Sequence, residues 1–99
     1  MIIIGRCKEL YNDDKLPSIN DMISQNPIAE KGRVLNYMKN GNKGSAAAGV
    51  AMDIIKNIPI EAEFCCYNDG IYGWRSDTIY YFENYNLKLD EDFLKHVLR

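Results

Sequence analysis

The residues that could perform chemistry are three cysteines, one histidine and several carboxylates, and they are scattered along the chain. Cys7 and His96 lie near opposite ends, and the adjacent pair Cys65 and Cys66 lies between them. A thiol nucleophile needs a base within hydrogen-bond distance, and a zinc site needs ligands at short, regular spacings. The sequence has neither pattern, and its glycines match neither the Walker nor the dinucleotide fingerprint. We therefore predict no catalytic residue, cofactor or metal. The alternative hypothesis is a small metal- or thiol-dependent enzyme.

The clustered acids have positions that suit structural roles. Asp13-Asp14 falls in a polar stretch typical of a loop, and Asp90-Glu91-Asp92 precedes an apolar repeat typical of a helix. Carboxylates at such positions cap turns and helix N-termini. Asp53 differs because it is the one acid inside an apolar run, so we expect it to be buried and hydrogen-bonded.

Length and composition bound the class of protein. Ninety-nine residues suffice for one globular domain, residues 1–99, and 46% hydrophobic with 26% charged residues is ordinary for such a domain. No apolar run approaches the ~18 residues of a membrane span. The opening Met1-Ile2-Ile3-Ile4 is too short for a signal-peptide core, and an odd number of cysteines fits a reducing compartment. These features predict a cytoplasmic protein.

Charge is divided unevenly along the chain, although the net charge is only −2. Residues 31–44 carry four cations and no acid, whereas residues 77–92 carry five acids against one lysine. An acidic chain disfavours non-specific nucleic-acid binding. The acidic segment could instead attract a basic protein partner.

The stretch from Cys65 to Phe82 contains the only tryptophan and the strongest turn signal, Asp69-Gly70. A two-residue turn there predicts a hairpin in which Tyr67 faces Tyr72 and Cys65 faces Trp74. Alternation then places these four side chains on one face, which we interpret as a core layer. The alternative interpretation is a Tyr/Trp sheet face on which single-stranded nucleic acid stacks.

Other elements follow from local signals. We predict strands at residues 2–4 and 44–52, and helices after Ser18, after Asn26-Pro27 with Gly41 as a left-handed cap, after Ser76 or Asp77, and after Asp90. Ile28, Val34, Leu35 and Met38 would form the buried face of the second helix. Tyr80 lies off the apolar stripe of its helix, so we expect it to be exposed. The predicted fold is α+β: a small antiparallel sheet of about three strands covered by three to four helices.

The block from Asp69 to Asp77, followed by Tyr80 to Glu83 and Tyr85 to Leu89, carries a resemblance to a known group. It resembles small cytoplasmic proteins of unassigned activity from low-GC Gram-positive bacteria, some of which are similar to immunity proteins encoded beside toxins. The shared motif is a turn, a tryptophan, a helix cap and a tyrosine-rich helix. It implies no catalytic residue.

The sequence thus predicts a non-enzymatic protein-interaction module of immunity or regulatory type that binds a basic partner. Its expected contact residues combine one tyrosine with the acidic C-terminal segment: Tyr80, Glu83, Asp90, Glu91 and Asp92. Homo-oligomerisation stays open.

Overall fold

A computed structural model describes all residues 1–99. The strands are β1 (Ile2–Ile3), β2 (Asn42–Ala46), β3 (Met52–Asp53), β4 (Ile58–Pro59), β5 (Cys65–Asn68) and β6 (Tyr72–Arg75). The helices are α1 (Lys8–Tyr11), α2 (Lys31–Lys39), α3 (Ser76–Tyr85) and α4 (Glu91–Val97), with a 3₁₀ turn at Ile19–Asp21.

The main sheet has the strand order β1-β6-β5-β2, and a second small sheet pairs β3 with β4. Strands β2, β5 and β6 are antiparallel, which confirms the predicted α+β class with its three-stranded antiparallel sheet. The sequence did not predict that β1 would join β6 as a parallel edge strand. Helices α2, α3 and α4 contribute to one core of fourteen buried side chains.

The hairpin between β5 and β6 forms, but its predicted register was wrong. Tyr67 faces Trp74 and Asn68 faces Gly73, so the turn is centred one residue later, on Gly70-Ile71. Each residue of β5 therefore pairs with the β6 residue that lies two positions beyond its predicted partner. A shift of two residues keeps every side chain on its predicted face. The predicted grouping of side chains into two faces therefore survives.

Trp74 confirms the interpretation of that face as core. The indole is 1% exposed, and its Nε1–H donates to the Met38 carbonyl oxygen at 3.1 Å. The rings of Tyr37 and Phe93 pack against it with centroids at 6.2 and 5.4 Å. Because helices α2 and α4 cover this face, its aromatic rings do not form an open stacking platform.

Helix α2 begins later than predicted. It starts at Lys31 after Glu30, which has a left-handed backbone (φ 57°), and not at Asn26-Pro27. Val34 and Met38 are buried as expected, but Ile28 is 39% exposed, so no apolar contact draws residues 27–30 into the helix. Gly41 is not the left-handed cap, because Asn40 ends the helix and Gly41 has no positive φ.

The N-terminal half shows three further differences. Strand β1 is exposed at Ile2 and Ile3, and only Ile4 is buried, because an edge strand has one neighbour. The strand predicted at 44–52 divides into β2 and β3, and every residue of β2 is exposed. The helix expected after Ser18 is a single 3₁₀ turn, capped as predicted by the Ser18 hydroxyl. The short α1 was not predicted.

Helices α3 and α4 form where expected, although their caps differ. Arg75 occupies the N-cap position of α3, and the Ser76 hydroxyl accepts a hydrogen bond from the Cys65 N–H at 3.0 Å. Asp90 is the N-cap residue of α4, but its side chain makes no capping bond. Its Oδ1 accepts from the Gly5 N–H at 3.0 Å and so fastens α4 to the segment after β1.

Candidate functional site

Two of the five expected contact residues, Tyr80 and Glu83, bind other side chains of the same chain, and Asp90 accepts the Gly5 N–H. Tyr80 is half-buried and not free as expected, because its ring packs against the core and its hydroxyl donates to Asp53 Oδ2 at 2.6 Å. Glu83 is exposed, and its carboxylate pairs with Lys39 Nζ at 3.1 Å. Both residues line a groove of about 360 Å³ between α3 and β5.

The other three, Asp90, Glu91 and Asp92, are exposed and form no ion pair. Glu91 and Asp92 lie in the first turn of α4, where the helix dipole favours negative charge. The negative charges of residues 90–92 are therefore not balanced by an ion pair within the chain, whereas that of Glu83 is balanced by Lys39.

The basic segment, in contrast, is compensated at three of its four cations. Lys31 Nζ donates to the Glu83 carbonyl and to Asn86 Oδ1, Arg33 pairs with Glu30, and Lys43 pairs with Glu63 at 2.8 Å. These contacts are mostly exposed and screened by solvent, so they contribute little to stability. Their effect is on the surface field, because three of the four cations are paired with acids and only Lys31 has neutral partners.

The largest concave surface lies beside Asp90. This cleft of about 510 Å³, which we call the Asp90 cleft, is lined by Ile2, Ile3, Arg6, Leu16, Pro17, Asp21, Met22, Lys88, Leu89 and Asp90. Six of these residues are apolar, and the four charged ones are exposed. Ile2 and Ile3 are 56% and 41% exposed, and the Ile2 N–H donates to the carbonyl of Ile71, which is 53% exposed. The cleft therefore continues into an apolar strip on the sheet edge.

A second group of polar side chains, Tyr37, Asp69 and His96, was not predicted to meet. Asp69 Oδ2 accepts from the Tyr37 hydroxyl at 2.5 Å and lies 3.0 Å from His96 Nε2. Asp69 Oδ1 accepts from the N–H groups of Ile71 and Tyr72 at 2.9 and 2.6 Å. The turn signal identified Asp69, but no local pattern connects it with residues 32 positions before it and 27 after it.

This cluster shifts the pKa of two of its members. Burial and the bond to Asp69 raise the pKa of Tyr37 to about 12. Burial also works to raise the pKa of Asp69, but the hydrogen bonds from Tyr37, Tyr72 and Ile71 outweigh it and hold the pKa below its ordinary value. The result is an ionised carboxylate whose two oxygens both bind protein groups.

The cluster supplies a carboxylate and an imidazole in contact, which is part of the arrangement that activates a nucleophile. No thiol and no serine or threonine hydroxyl is hydrogen-bonded to His96. Cys7 and Cys65 are buried and Cys66 is exposed. Burial raises the pKa of the Cys7 thiol, which disfavours the reactive thiolate.

Asp53 forms a third polar group, and it is buried and hydrogen-bonded as predicted. It accepts from the hydroxyls of Tyr80 and Tyr85, both at 2.6 Å, and from the N–H groups of Ile55 and Lys56, both at 2.9 Å. Burial opposes ionisation, yet these four bonds hold the pKa of Asp53 below its ordinary value. The bond to Asp53, with burial, raises the pKa of Tyr80 to about 12.

No three histidine, cysteine, aspartate or glutamate side chains come together in a way that could hold a metal ion. None of the helices is both long and apolar enough to cross a membrane. Comparison with protein-family models, with curated proteins and with solved structures gave no match to this chain. The resemblance to immunity-type bacterial proteins therefore stays a hypothesis.

Proposed function

We propose that this protein is a non-enzymatic interaction module that binds a basic protein partner at the Asp90 cleft. One observation carries the proposal: the largest cleft of the molecule combines an apolar floor with two acids, Asp21 and Asp90, that form no ion pair within the chain. Such a site suits a partner segment that presents an aliphatic side chain next to lysine or arginine.

The charges around the cleft favour a cationic partner. Arg6 on its rim is already paired with Asp13 at 3.7 Å, which leaves Lys88 as the one free cation among the lining residues. Asp21 and Asp90 line the cleft, and Glu91 and Asp92 follow Asp90 directly. An excess of negative charge increases the association rate with a basic protein and makes binding sensitive to salt.

The apolar part of the cleft supplies binding free energy. Interface hot spots are side chains that enter well-packed, desolvated pockets near the centre of a contact. The six apolar lining residues form such a pocket, and the exposed side chains of Ile2, Ile3 and Ile71 extend it. A standard interface buries about 800 Å² per partner, so the contact would also include the strip and the start of α4.

The proposed contact surface is centred on the Asp90 cleft and not on Tyr80 and Glu83. Both of these side chains already bind groups of the same chain, and a partner would have to displace those bonds. The resemblance to immunity-type proteins encoded beside toxins supports a protein as the partner.

The experiment is affinity capture at low salt with a pair of charge-matched variants. The test variant Glu91→Gln/Asp92→Asn removes the two exposed acids that directly follow the cleft residue Asp90, and the control Asp14→Asn/Glu61→Gln removes two exposed acids elsewhere. We expect wild type and control to retain the same partner, and the test variant to lose at least about tenfold in affinity.

Salt and an apolar substitution complete the design. Raising the salt concentration should weaken capture by wild type, and Ile3→Ser should weaken it at every salt concentration. Capture that is equal for all variants, or no partner at low salt, would contradict the proposal.

A further inference from the structure

A polar pocket lies where α2 ends and the β5–β6 turn approaches it, and it shares no residue with the Asp90 cleft. Its volume is about 380 Å³, within the usual range of small-ligand sites of about 300–1,000 Å³. The seven lining residues, which form what we call the amide pocket, are Asn36, Tyr37, Asn40, Gly41, Asn42, Asn68 and Asp69. Four of the seven are asparagines.

The four amides form two pairs. Asn36 and Asn40 are one helical turn apart on α2, and the Asn40 amide nitrogen donates to the carbonyl and side-chain oxygens of Asn36 at 2.7 and 3.1 Å. Asn42 and Asn68 are register partners on neighbouring strands, and Asn68 Oδ1 accepts from the Gly70 N–H.

These internal bonds fix the amides without exhausting them. Five side-chain groups of the pocket form no hydrogen bond within the chain. They are the amide nitrogens of Asn36, Asn42 and Asn68 and the side-chain oxygens of Asn40 and Asn42. The pocket thus offers three amide donors and two amide acceptors.

Gly41 lies between the two pairs and packs directly against the core. A Cβ at this position would lie 2.7 Å from Trp74 Cζ2 and 3.2 Å from the Asn68 carbonyl oxygen. The buried indole therefore requires glycine here, and the backbone between α2 and β2 is held close to Trp74.

The lining also defines the charge of a ligand. Asp69 is the only ionisable carboxylate in the pocket, and its two oxygens already take Tyr37, His96 and two backbone N–H groups. No lysine, arginine or histidine lines the pocket, so nothing there would hold a phosphate or a carboxylate.

We propose that the amide pocket binds a neutral, hydroxyl-rich small molecule of the mono- or disaccharide class. Each hydroxyl both donates and accepts, which matches an array of amides that offers both functions at short range. Tyr37 is the only hydrophobic lining residue, so an apolar ligand would gain little from entering.

The test is saturation-transfer NMR on the full chain with a panel of neutral mono- and disaccharides at about 10 mM, a range suited to weak binding. We expect transfer to at least one sugar, with a dissociation constant that rises about tenfold in Asn42→Ala, because two hydrogen bonds are lost. Asn20→Ala is the matched control, since Asn20 is exposed, lies outside the pocket and makes no side-chain hydrogen bond.

Three results would overturn the inference: no transfer to any neutral sugar, equal transfer in Asn42→Ala and wild type, or stronger transfer to phosphorylated sugars. The cleft variant Glu91→Gln/Asp92→Asn should bind the sugar as wild type does. The amide pocket and the proposed protein-binding function can therefore fail independently.

Discussion

Asp53 accepts four hydrogen bonds from neutral donors, and no cation forms an ion pair with it. A buried carboxylate of this kind is tolerated only when its lone pairs are filled. The two hydroxyl donors come from α3, and the two N–H donors follow β3 directly. Together with the Tyr81 hydroxyl, this side chain therefore fastens residues 47–60, which we call the apolar loop, to a core helix.

Asp53→Asn tests that role. The amide can still accept at one oxygen, but its nitrogen cannot accept from the hydroxyls of Tyr80 and Tyr85. We expect the free energy of unfolding in urea to fall by about 1–3 kcal/mol, the cost of leaving buried polar groups unpaired. Asp14→Asn serves as control, because the Asp14 side chain is 97% exposed. Equal stability of the two variants would show that Asp53 does not anchor the loop.

Tyr37 provides a prediction about pH. Its pKa is raised to about 12, so its contribution to stability is complete below the ordinary phenol value of about 10 and is lost as the pH rises through 12. Asp69 acts at the other end, because its lowered pKa gives stability that is lost as the pH falls through the folded-state value. Tyr37→Phe should cost about 1–2 kcal/mol at pH 7.

Urea unfolding of both proteins between pH 7 and pH 12 measures this effect. The difference between wild type and Tyr37→Phe should be constant up to about pH 10 and shrink above it. A difference that stays constant to pH 12 would mean that the Tyr37 hydroxyl makes no useful bond to Asp69.

At the scale of elements, the hairpin shows how far local signals reach. The asparagine, aspartate and glycine at 68–70 predicted a turn, and the turn is there. Its centre differs because Asp69 does not take the left-handed conformation that a turn centred on Asp69-Gly70 requires. Its carboxylate instead accepts the Ile71 and Tyr72 N–H groups, and only Gly70 has a positive φ, 93°.

The other predictions were also right where the signal is local and wrong where it depends on residues far away in the chain. Helices α3 and α4 were predictable because their apolar repeat is local and the core satisfies it. The start of α2 was not predictable from local signals. The helix begins at Lys31, whose side chain donates to Glu83 and Asn86 more than fifty positions away. For the same reason Asp90 was predictable as a contact residue, whereas Asp21 and the apolar walls of the cleft, which are drawn from both ends of the chain, were not.

Gly41 and Gly32 give opposite predictions for the same substitution. Gly41→Ala would press a methyl group against the buried Trp74, which cannot move away, so we expect a loss of about 1–3 kcal/mol. Gly32→Ala meets nothing within 4 Å in the first turn of α2, so it should stabilise by about 0.5–1 kcal/mol. Thermal melts of both variants check the pair, and a stable Gly41→Ala would contradict the close packing of α2 on the sheet.

Both edges of the main sheet carry features that discourage strand pairing between molecules. Strand β1 is two residues long, and β2 has a register irregularity after the exposed Lys43. Short edge strands, bulges and lysine are common protections against edge-to-edge association. Self-association, if it occurs, would therefore use side-chain surfaces rather than a continuous sheet.

At the scale of the whole molecule, the radius of gyration of 12.8 Å matches the value of about 13 Å typical for this length. The accessible surface of 6148 Å² nevertheless exceeds the roughly 5,800 Å² expected for a globular protein of 11.4 kDa. The apolar loop accounts for part of the excess, since Val50, Met52, Ile54, Ile55 and Ile58 are all exposed. Its two strands pair over only two residues each.

Amide hydrogen exchange should reveal this loop as the least stable part of the fold, with one exception. Regions with few buried apolar contacts open with low free energy, so most amides of residues 47–60 should exchange quickly. Ile54, Ile55 and Lys56 should exchange slowly, because their N–H groups donate to the Tyr81 hydroxyl and to Asp53. Asp53→Asn should speed exchange at Ile55 and Lys56, whose acceptor loses its bonds from Tyr80 and Tyr85, and leave the amides of β5, β6 and α3 unchanged. Uniformly fast exchange through the loop of the wild type would mean that it is not anchored, and protection that survives in the variant would place the anchor elsewhere.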